Sequence, residues 1–243
     1  MTDDRATPPH TCALVVAAGG STRMGSAGER KPFLEIAGRS VLERACAAFD
    51  AAEAVRTIVI VGRAEDLERI RALAARSSAL RKVRRIVPGG AERTDSVRAG
   101  LAAADPAAEF VAVHDAARPL VSRAVVERAL ELAVLAGAAL TAVPIVDTVK
   151  ESQDGRHASA TLDRARLWAA QTPQVFRRAL LAELLERAAR DGFRPTDEAA
   201  LHERYVGPVP MSRGSRANQK LTTPEDLPLL EALARLAAAE EQA

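Results

Sequence analysis

Short apolar runs rich in β-branched residues recur along this chain, separated by longer Ala-, Leu-, Arg- and Glu-rich segments with helical spacing. Parallel strands need long crossover connections, and helices usually supply them. The alternation therefore predicts an α/β fold, with a mostly parallel twisted sheet and helices on both faces. The predicted strands are 12–16, 57–61, 83–87, 110–114, 139–144 and 206–209.

Seven helices are predicted between and after these strands: 41–49, 65–76, 94–103, 123–136, 178–190, 197–204 and 224–239. Pro224 is suited to the first turn of the last helix. The sequence contains neither an internal repeat nor a linker rich in Pro, Gly or Ser. We therefore expect residues 1–243 to form a single Rossmann-like domain.

One segment, 145–167, does not follow this alternation of strands and helices. Its polar turn at 152–155 lies between two runs of mixed alternation, which predicts a β-hairpin. The segment is too long for an ordinary connection and too poor in large apolar residues to form a core alone. We interpret it as a β-arm inserted into the sheet domain.

Composition excludes several classes of protein. The 34 Lys and Arg residues nearly balance the 32 Asp and Glu residues, and the charges are scattered, so nucleic acid is not the expected partner. The first ten residues are polar and acidic, and no apolar run has the length of a membrane span, so we expect a cytoplasmic protein without a membrane partner. Cys12 and Cys46 lack metal-ligand or redox spacing and are interpreted as buried thiols.

A loop of small residues, 17–25, follows the first predicted strand, and Lys31 comes shortly after it. Small side chains let backbone N–H groups approach phosphate oxygens, and Arg23 and Lys31 can add positive charge. The loop is neither a Walker A motif nor a G-x-G-x-x-G motif. By itself it is compatible equally with a phosphate cradle and with an ordinary tight turn.

The fourth predicted strand ends at His114, and Asp115 follows it directly. Ligands of open parallel sheets bind beyond the carboxyl ends of the strands, where a carboxylate can hold Mg²⁺ on substrate phosphates. Asp115 is therefore the candidate metal ligand, with a capping or turn role as the alternative. His114, at the buried end of a strand, is expected to be structural.

The loop 17–25, Lys31, His114 and Asp115 belong to a longer collinear set of motifs. The set spans about residues 16–227 and resembles the 2-C-methyl-D-erythritol 4-phosphate cytidylyltransferase family. The matching blocks are Ala17-Ala18-Gly19 with Arg23-Met24, Lys31 with Leu34, Gly89-Gly90-x-x-Arg93-x-x-Ser96, His114-Asp115-Ala116-Ala117-Arg118-Pro119, Asp147-Thr148-Val149-Lys150, Asp163-Arg164 with Leu167-Trp168, Gln171-Thr172-Pro173-Gln174, Thr196-Asp197-Glu198-Ala199 and Asn218-x-Lys220-Leu221-Thr222.

The resemblance implies transfer of CMP from CTP to 2-C-methyl-D-erythritol 4-phosphate, with Mg²⁺ as cofactor and release of pyrophosphate. It also implies a homodimer that exchanges the arms of its subunits. The implied catalytic residues are Arg23, Lys31, Arg164 and Lys220. The implied nucleotide-binding residues are Ala17, Ala18, Gly19, Gly90, Ser96 and Asp115, with Asp115 also holding the metal. The implied residues for the sugar-alcohol phosphate are Arg118, Thr148, Arg164, Thr172 and Lys220.

Three other functions are alternatives to the one that the resemblance implies. Ribitol 5-phosphate cytidylyltransferases share most of these blocks, although they tend to carry a larger residue where Ala117 stands. A glycosyltransferase on a similar sheet is expected to have an Asp-x-Asp pair at a strand end, which this chain lacks. A non-catalytic nucleotide-binding domain is disfavoured by the joint presence of Arg23, Lys31 and Asp115.

Overall fold

The computed structural model describes residues 9–19 and 29–240 of the chain. Its strands are β1 Thr11–Val16, β2 Glu35–Ile36, β3 Arg39–Ser40, β4 Val55–Gly62, β5 Val83–Pro88, β6 Phe110–Asp115, β7 Ala138–Pro144, β8 Lys150–Glu151, β9 Ala160–Thr161, β10 Trp168–Arg177 and β11 Met211–Arg213. Its α-helices are α1 Val41–Ala51, α2 Leu67–Arg76, α3 Arg93–Ala102, α4 Arg123–Ala136, α5 Arg178–Arg190, α6 Glu198–Tyr205 and α7 Asp226–Glu240.

Seven of these strands form one sheet in the order β11-β7-β10-β6-β1-β4-β5. Strand β10 is antiparallel to both of its neighbours, while the other pairs in the sheet are parallel. The chain proceeds from β1 outward to β4 and β5, then returns to place β6 on the other side of β1. The predicted α/β class and mostly parallel sheet are confirmed, and the strand order reverses between β1 and β6.

Side chains of successive β1 residues point to opposite faces of the sheet. Ala13 and Val15 belong to a core cluster shared with α1, α2 and α4. Cys12 and Leu14 belong to a second cluster, shared with α3, α5 and α6. Helices therefore cover both faces, as predicted, and burial of each large aliphatic side chain contributes about 1.5–3 kcal/mol.

Both cysteines are buried free thiols, as the sequence predicts. Burial raises the pKa of Cys46 above its ordinary value, and the nearby carboxylates of Asp50 and Glu43 raise it further. Cys46 therefore stays protonated near neutral pH, and its thiol contributes to the core as a small apolar group.

Most helix boundaries agree with the predictions, and α4 and α5 match them at both ends. The segment predicted as a helix at 65–76 begins instead with a 3₁₀ turn, Ala64–Asp66, before α2. Pro224 precedes α7 rather than lying in its first turn. The segment just before α7 is held by Asp226, whose carboxylate accepts hydrogen bonds from the N–H groups of Thr222 and Thr223.

The predicted strand at 206–209 is wrong. Val206 is 56% exposed, Gly207 has a φ of 135°, and Pro208 and Pro210 lack the N–H group that a strand needs for pairing. The strand begins after them as β11, where Met211 pairs with Leu140 of β7.

The segment 145–167 forms the predicted hairpin. Lys150–Glu151 pairs antiparallel with Ala160–Thr161, and the turn closes where the N–H of Gly155 donates to Ser152 Oγ. Most of the arm is exposed in the single chain. Within the described residues, none of the helices is long and apolar enough to cross a membrane.

Candidate functional site

A cleft of about 300 Å³ opens at the carboxyl ends of β1 and β6, where the strand order reverses. Val16 and Asp115 are aligned in the pairing of these two strands. The N–H of Ala116 donates to the carbonyl of Val16 at 3.0 Å, and this hydrogen bond holds the two strand ends together. Such a reversal is the usual ligand site of an open α/β sheet.

The cleft brings together most of the site residues proposed from the sequence. Its lining includes Ala17, Ala18, Gly19, Lys31, Gly90, Ser96, Asp115 and Lys220. Residues separated by about two hundred positions in the chain thus share one surface. Arg23, proposed as catalytic, lies outside the described residues.

The Gly89–Gly90 loop packs closely against the loop after β1. A Cβ atom at Gly89 would stand 2.5 Å from Ala18 Cβ and 2.6 Å from Ser96 Oγ, so this position has no room for a side chain. Ser96 is buried and accepts a hydrogen bond from the N–H of Gly90. The amino end of α3 therefore faces the cleft, where its dipole favours an anion.

Lys31 begins a 3₁₀ turn, Lys31–Phe33, in which Pro32 and Phe33 are buried. Its ammonium donates to the carbonyl of Thr222 at 2.9 Å and to that of Leu221 at 3.3 Å. These contacts direct the lysine across the cleft toward the segment before α7. The ammonium is thus placed to meet an anionic ligand in the cleft.

Asp115 lies between two cations. Its Oδ1 accepts from Arg93 Nε at 3.1 Å, and its Oδ2 accepts from Lys220 Nζ at 2.6 Å. Burial acts to raise the pKa of the Asp115 carboxyl, but Arg93 and Lys220 outweigh it and bring the pKa well below its ordinary value. Asp115 therefore remains ionised at neutral pH.

Arg93 also forms a fork with Glu198, through Nη1 to Oε1 at 2.6 Å and Nη2 to Oε2 at 3.0 Å. Glu198 is only 1% exposed. Burial raises its pKa, and the Arg93 charge offsets only part of that effect. Both residues lie in blocks of the family resemblance, but neither was assigned a role from the sequence, because their contact joins positions 105 residues apart.

Behind Asp115, Thr172 and His114 form a buried chain of hydrogen bonds. The Asp115 N–H donates to Thr172 Oγ1 at 3.1 Å, and Thr172 Oγ1 lies 2.9 Å from His114 Nδ1. Burial lowers the pKa of His114 to about 4, so the ring is neutral at pH 7. His114 Nε2 donates to the Arg118 carbonyl, which leaves Nδ1 to accept from Thr172. His114 thus has the structural role expected of it.

Arg118 lies beside the cleft rather than in its described lining. Its Nη1 donates to the carbonyl of Asn218 at 2.8 Å and its Nη2 to that of Ala170 at 3.2 Å. Arg118 Nε and Asn218 Oδ1 are buried, and neither has a hydrogen-bond partner among the described residues. Arg118 therefore ties β10 to the segment that carries Lys220.

Thr148 and Arg164 are exposed on the arm and do not contribute to the described lining of the cleft. Arg164 Nη1 donates to the carbonyl of Val146, within the same arm. In a single chain these two residues therefore lie outside the lining that contains Lys220.

The side chains at the cleft are compatible with Mg²⁺ carried by a nucleotide. In the described parts of the chain there is no group of three or more His, Cys, Asp or Glu residues suited to a metal ion. Asp115 offers one ionised carboxylate at the cleft. Mg²⁺ typically binds one or two carboxylates together with substrate phosphates and water. Asp115 is therefore the residue that would hold the ion.

A strand reversal, a loop of small residues and a cationic cleft at a helix amino end together define a nucleotide-binding α/β protein. The chain belongs to the 2-C-methyl-D-erythritol 4-phosphate cytidylyltransferase (IspD) family, whose model matches residues 11–236. It is accordingly an enzyme of the nucleotidyltransferase class.

Individual relatives match along nearly their whole length. The 2-C-methyl-D-erythritol 4-phosphate cytidylyltransferase of Syntrophus aciditrophicus (strain SB) is 41% identical over 224 residues, covering 92% of this chain and 95% of that protein. That of Symbiobacterium thermophilum is 45% identical over 220 residues, covering 90% and 91%. The solved 4-diphosphocytidyl-2C-methyl-D-erythritolsynthase from Anaerococcus prevotii DSM 20548 has a TM-score of 0.81 at 29% identity, covering 94% of this chain and 97% of that one.

Proposed function

We propose that this chain transfers CMP from CTP to 2-C-methyl-D-erythritol 4-phosphate, giving 4-CDP-2-C-methyl-D-erythritol and pyrophosphate for isoprenoid precursor synthesis. The observation that carries the proposal is the cleft, where Arg93 and Lys220 contact the carboxylate of Asp115 and Lys31 lies in the same lining. Family membership supports the identity of both substrates.

In this proposal, the backbone of Ala17, Ala18, Gly19 and Gly90 and the hydroxyl of Ser96 hold the cytidine and its phosphates. Asp115 holds Mg²⁺. When bound, the ion neutralises charge on the triphosphate. Lys220, with Arg118 and Thr172 close behind, binds the acceptor phosphate.

An oxygen of the acceptor phosphate attacks the α-phosphorus of CTP in line with the departing pyrophosphate. One P–O bond forms as the bond from the α-phosphorus to the bridging oxygen breaks. The acceptor oxygen is already anionic, so a general base is not needed. Catalysis then consists of positioning and of charge stabilisation by Lys31 and Arg23.

We also propose that the chain is one domain with an inserted arm, and that two chains exchange arms in a homodimer. Val146, Leu162 and Trp168 are 47%, 39% and 39% exposed along or beside the arm, and a partner surface would bury them. In a two-fold dimer each arm would bring Thr148 and Arg164 to the acceptor phosphate of the other subunit.

The experiment is to incubate the protein with CTP, Mg²⁺ and either 2-C-methyl-D-erythritol 4-phosphate or ribitol 5-phosphate, and to measure pyrophosphate. We expect release that depends on the methylerythritol acceptor. Higher kcat/KM with ribitol 5-phosphate would favour that alternative, and binding of CTP without transfer to either acceptor would favour a non-catalytic domain.

The same assay with UTP tests how the nucleotide is recognised. A site whose backbone groups pair with the cytosine amine leaves buried groups unpaired when a carbonyl replaces that amine. We expect kcat/KM to be about 10⁴-fold higher for CTP than for UTP. We assign this pairing to backbone groups of the segment from Gly89 to Ser96, and comparable values for the two nucleotides would refute that assignment.

A further inference from the structure

Glu198 is the most buried member of the charge cluster at the cleft, and Arg93 joins it to Asp115. Side-chain exposure is 2% for Glu198, 28% for Arg93, 12% for Asp115 and 47% for Lys220. Glu198 therefore lies at the protein end of a row of alternating charges, and Lys220 lies at the solvent end.

The backbone at Glu198 is itself held firmly. Gln174 of β10 accepts from the Ala199 N–H through Oε1 at 2.8 Å and donates through Nε2 to Asp197 Oδ2 at 2.9 Å. Asp197 Oδ1 in turn accepts from the Ala200 N–H at 3.0 Å and caps α6. The first turn of α6 is thereby fixed to the sheet, which sets the position of the Glu198 side chain.

From this geometry we propose that Glu198 is a positioning residue for the nucleotide and its metal. It holds the Arg93 guanidinium in the one orientation that lets Nε and Nη2 both reach Asp115 Oδ1, each at 3.1 Å. This assignment rests on the proposed function, because it concerns how Asp115 is presented to Mg²⁺ bound to CTP.

The charges explain why the glutamate is needed. Arg93 and Lys220 carry two positive charges. Asp115 neutralises one of them, and Glu198 neutralises the other in the carboxylate form that its two-bond fork with Arg93 favours. Without the Glu198 charge, Arg93 would be compensated only by Asp115, and the cluster would carry net positive charge beside a metal site. The Asp115 carboxylate would then be a weaker ligand for a cation, and the Arg93 fork would lose its second anchor.

The test compares Glu198→Gln with the wild-type protein. We expect the Mg²⁺ concentration for half-maximal pyrophosphate release to rise by about 10-fold or more, as substitution of residues behind metal ligands typically causes. In an Arg93→Lys background, Glu198→Gln should add little further change, because both substitutions remove the same fork. Glu198→Asp, which keeps the charge but is too short for the fork, should also raise the Mg²⁺ requirement and serves if Glu198→Gln folds poorly.

Asp50→Asn is the matched control. Asp50 is another buried carboxylate with an arginine partner, accepting from Arg81 Nη2 at 2.9 Å and from the Lys82 N–H at 2.9 Å. This pair does not line the cleft. We expect Asp50→Asn to lower stability while the Mg²⁺ titration stays as in the wild type. A folded Glu198→Gln protein with an unchanged titration would overturn the proposal.

A second readout is independent of catalysis. The Arg93 Nε–H signal in a ¹⁵N spectrum, assigned by its loss in Arg93→Lys, should exchange with solvent faster in Glu198→Gln than in the wild type. Unchanged exchange would overturn the positioning role even in an active enzyme. Faster exchange in a protein that transfers no CMP would support the role and refute only the proposed reaction.

Discussion

Lys220 Nζ lies 2.6 Å from Asp115 Oδ2, a contact that joins the segment before α7 to the end of β6. Arg93 occupies the other oxygen of the same carboxylate. A cation arriving with a nucleotide must therefore share Asp115 with two basic side chains. We therefore expect binding of that cation to depend on the charge of Asp115 more than on the shape of its side chain.

Asp115→Asn tests this dependence. The amide keeps the shape of the side chain but loses the charge, so we expect the Mg²⁺ requirement to rise by at least about 10-fold. Stability should also fall, because the largely buried Arg93 loses a charged partner. The checks are a Mg²⁺ titration of pyrophosphate release and a thermal unfolding curve. An unchanged titration would leave Asp115 with its alternative role as a turn residue.

Lys31→Ala is expected to lower kcat by about 100-fold or more while the protein stays folded, because the ammonium is assigned to charge that develops in the transition state. Arg23 lies outside the described residues, and we expect Arg23→Ala to lower kcat in the same way. The measurement is steady-state kinetics together with a melting temperature.

The control for Lys31 is Lys82→Ala. Lys82 Nζ also donates to a backbone carbonyl, that of Ala52 at 2.8 Å, but Lys82 is not among the residues that line the cleft. Its removal should leave kcat unchanged. If Lys31→Ala raised KM and preserved kcat, Lys31 would serve ground-state binding instead.

Most of the parallel sheet could be predicted from the sequence because its strands are short runs rich in β-branched apolar residues. Strand β10 was not predicted, since Gln171, Thr172, Pro173 and Gln174 give it a polar, proline-containing centre. These polar groups are buried but satisfied by partners distant in the sequence, such as the contact between Gln171 and Asn218. A local pattern carries no signal for such partners.

The same limit applies to the cleft. Lys31, Asp115 and Lys220 could be proposed from the family resemblance, and the fold brings them together. The Arg93–Glu198 fork could not, because neither residue type nor local spacing predicts a contact between α3 and α6. Placement of Arg164 also stays a prediction, since it depends on a second chain.

Gly89→Ala tests the close approach of the two cleft loops. The added methyl group would meet Ala18 Cβ and Ser96 Oγ, so we expect a loss of about 1–3 kcal/mol in the free energy of unfolding. Gly19→Ala is the matched substitution, because a Cβ there meets none of the described residues within 4 Å. It should preserve stability yet raise the KM for CTP, since the methyl group would stand where phosphate approaches the backbone. Chemical denaturation and kinetics with CTP separate these effects. Equal stability of both variants would contradict the packing argument.

The last prediction concerns the exposed arm and its Arg164. If two chains exchange arms, Arg164 of one subunit completes the site that contains Lys31 of the other. An inactive Lys31→Ala protein is mixed with an inactive Arg164→Ala protein, and the subunits are allowed to exchange.

Half of the dimers are then mixed, and each mixed dimer has one site with both lesions and one site with neither. We expect about a quarter of wild-type activity to return. If Arg164 served its own subunit, every site would keep one lesion and activity would stay absent. Native mass spectrometry establishes that exchange is complete, so a fully exchanged but inactive mixture would refute the shared site.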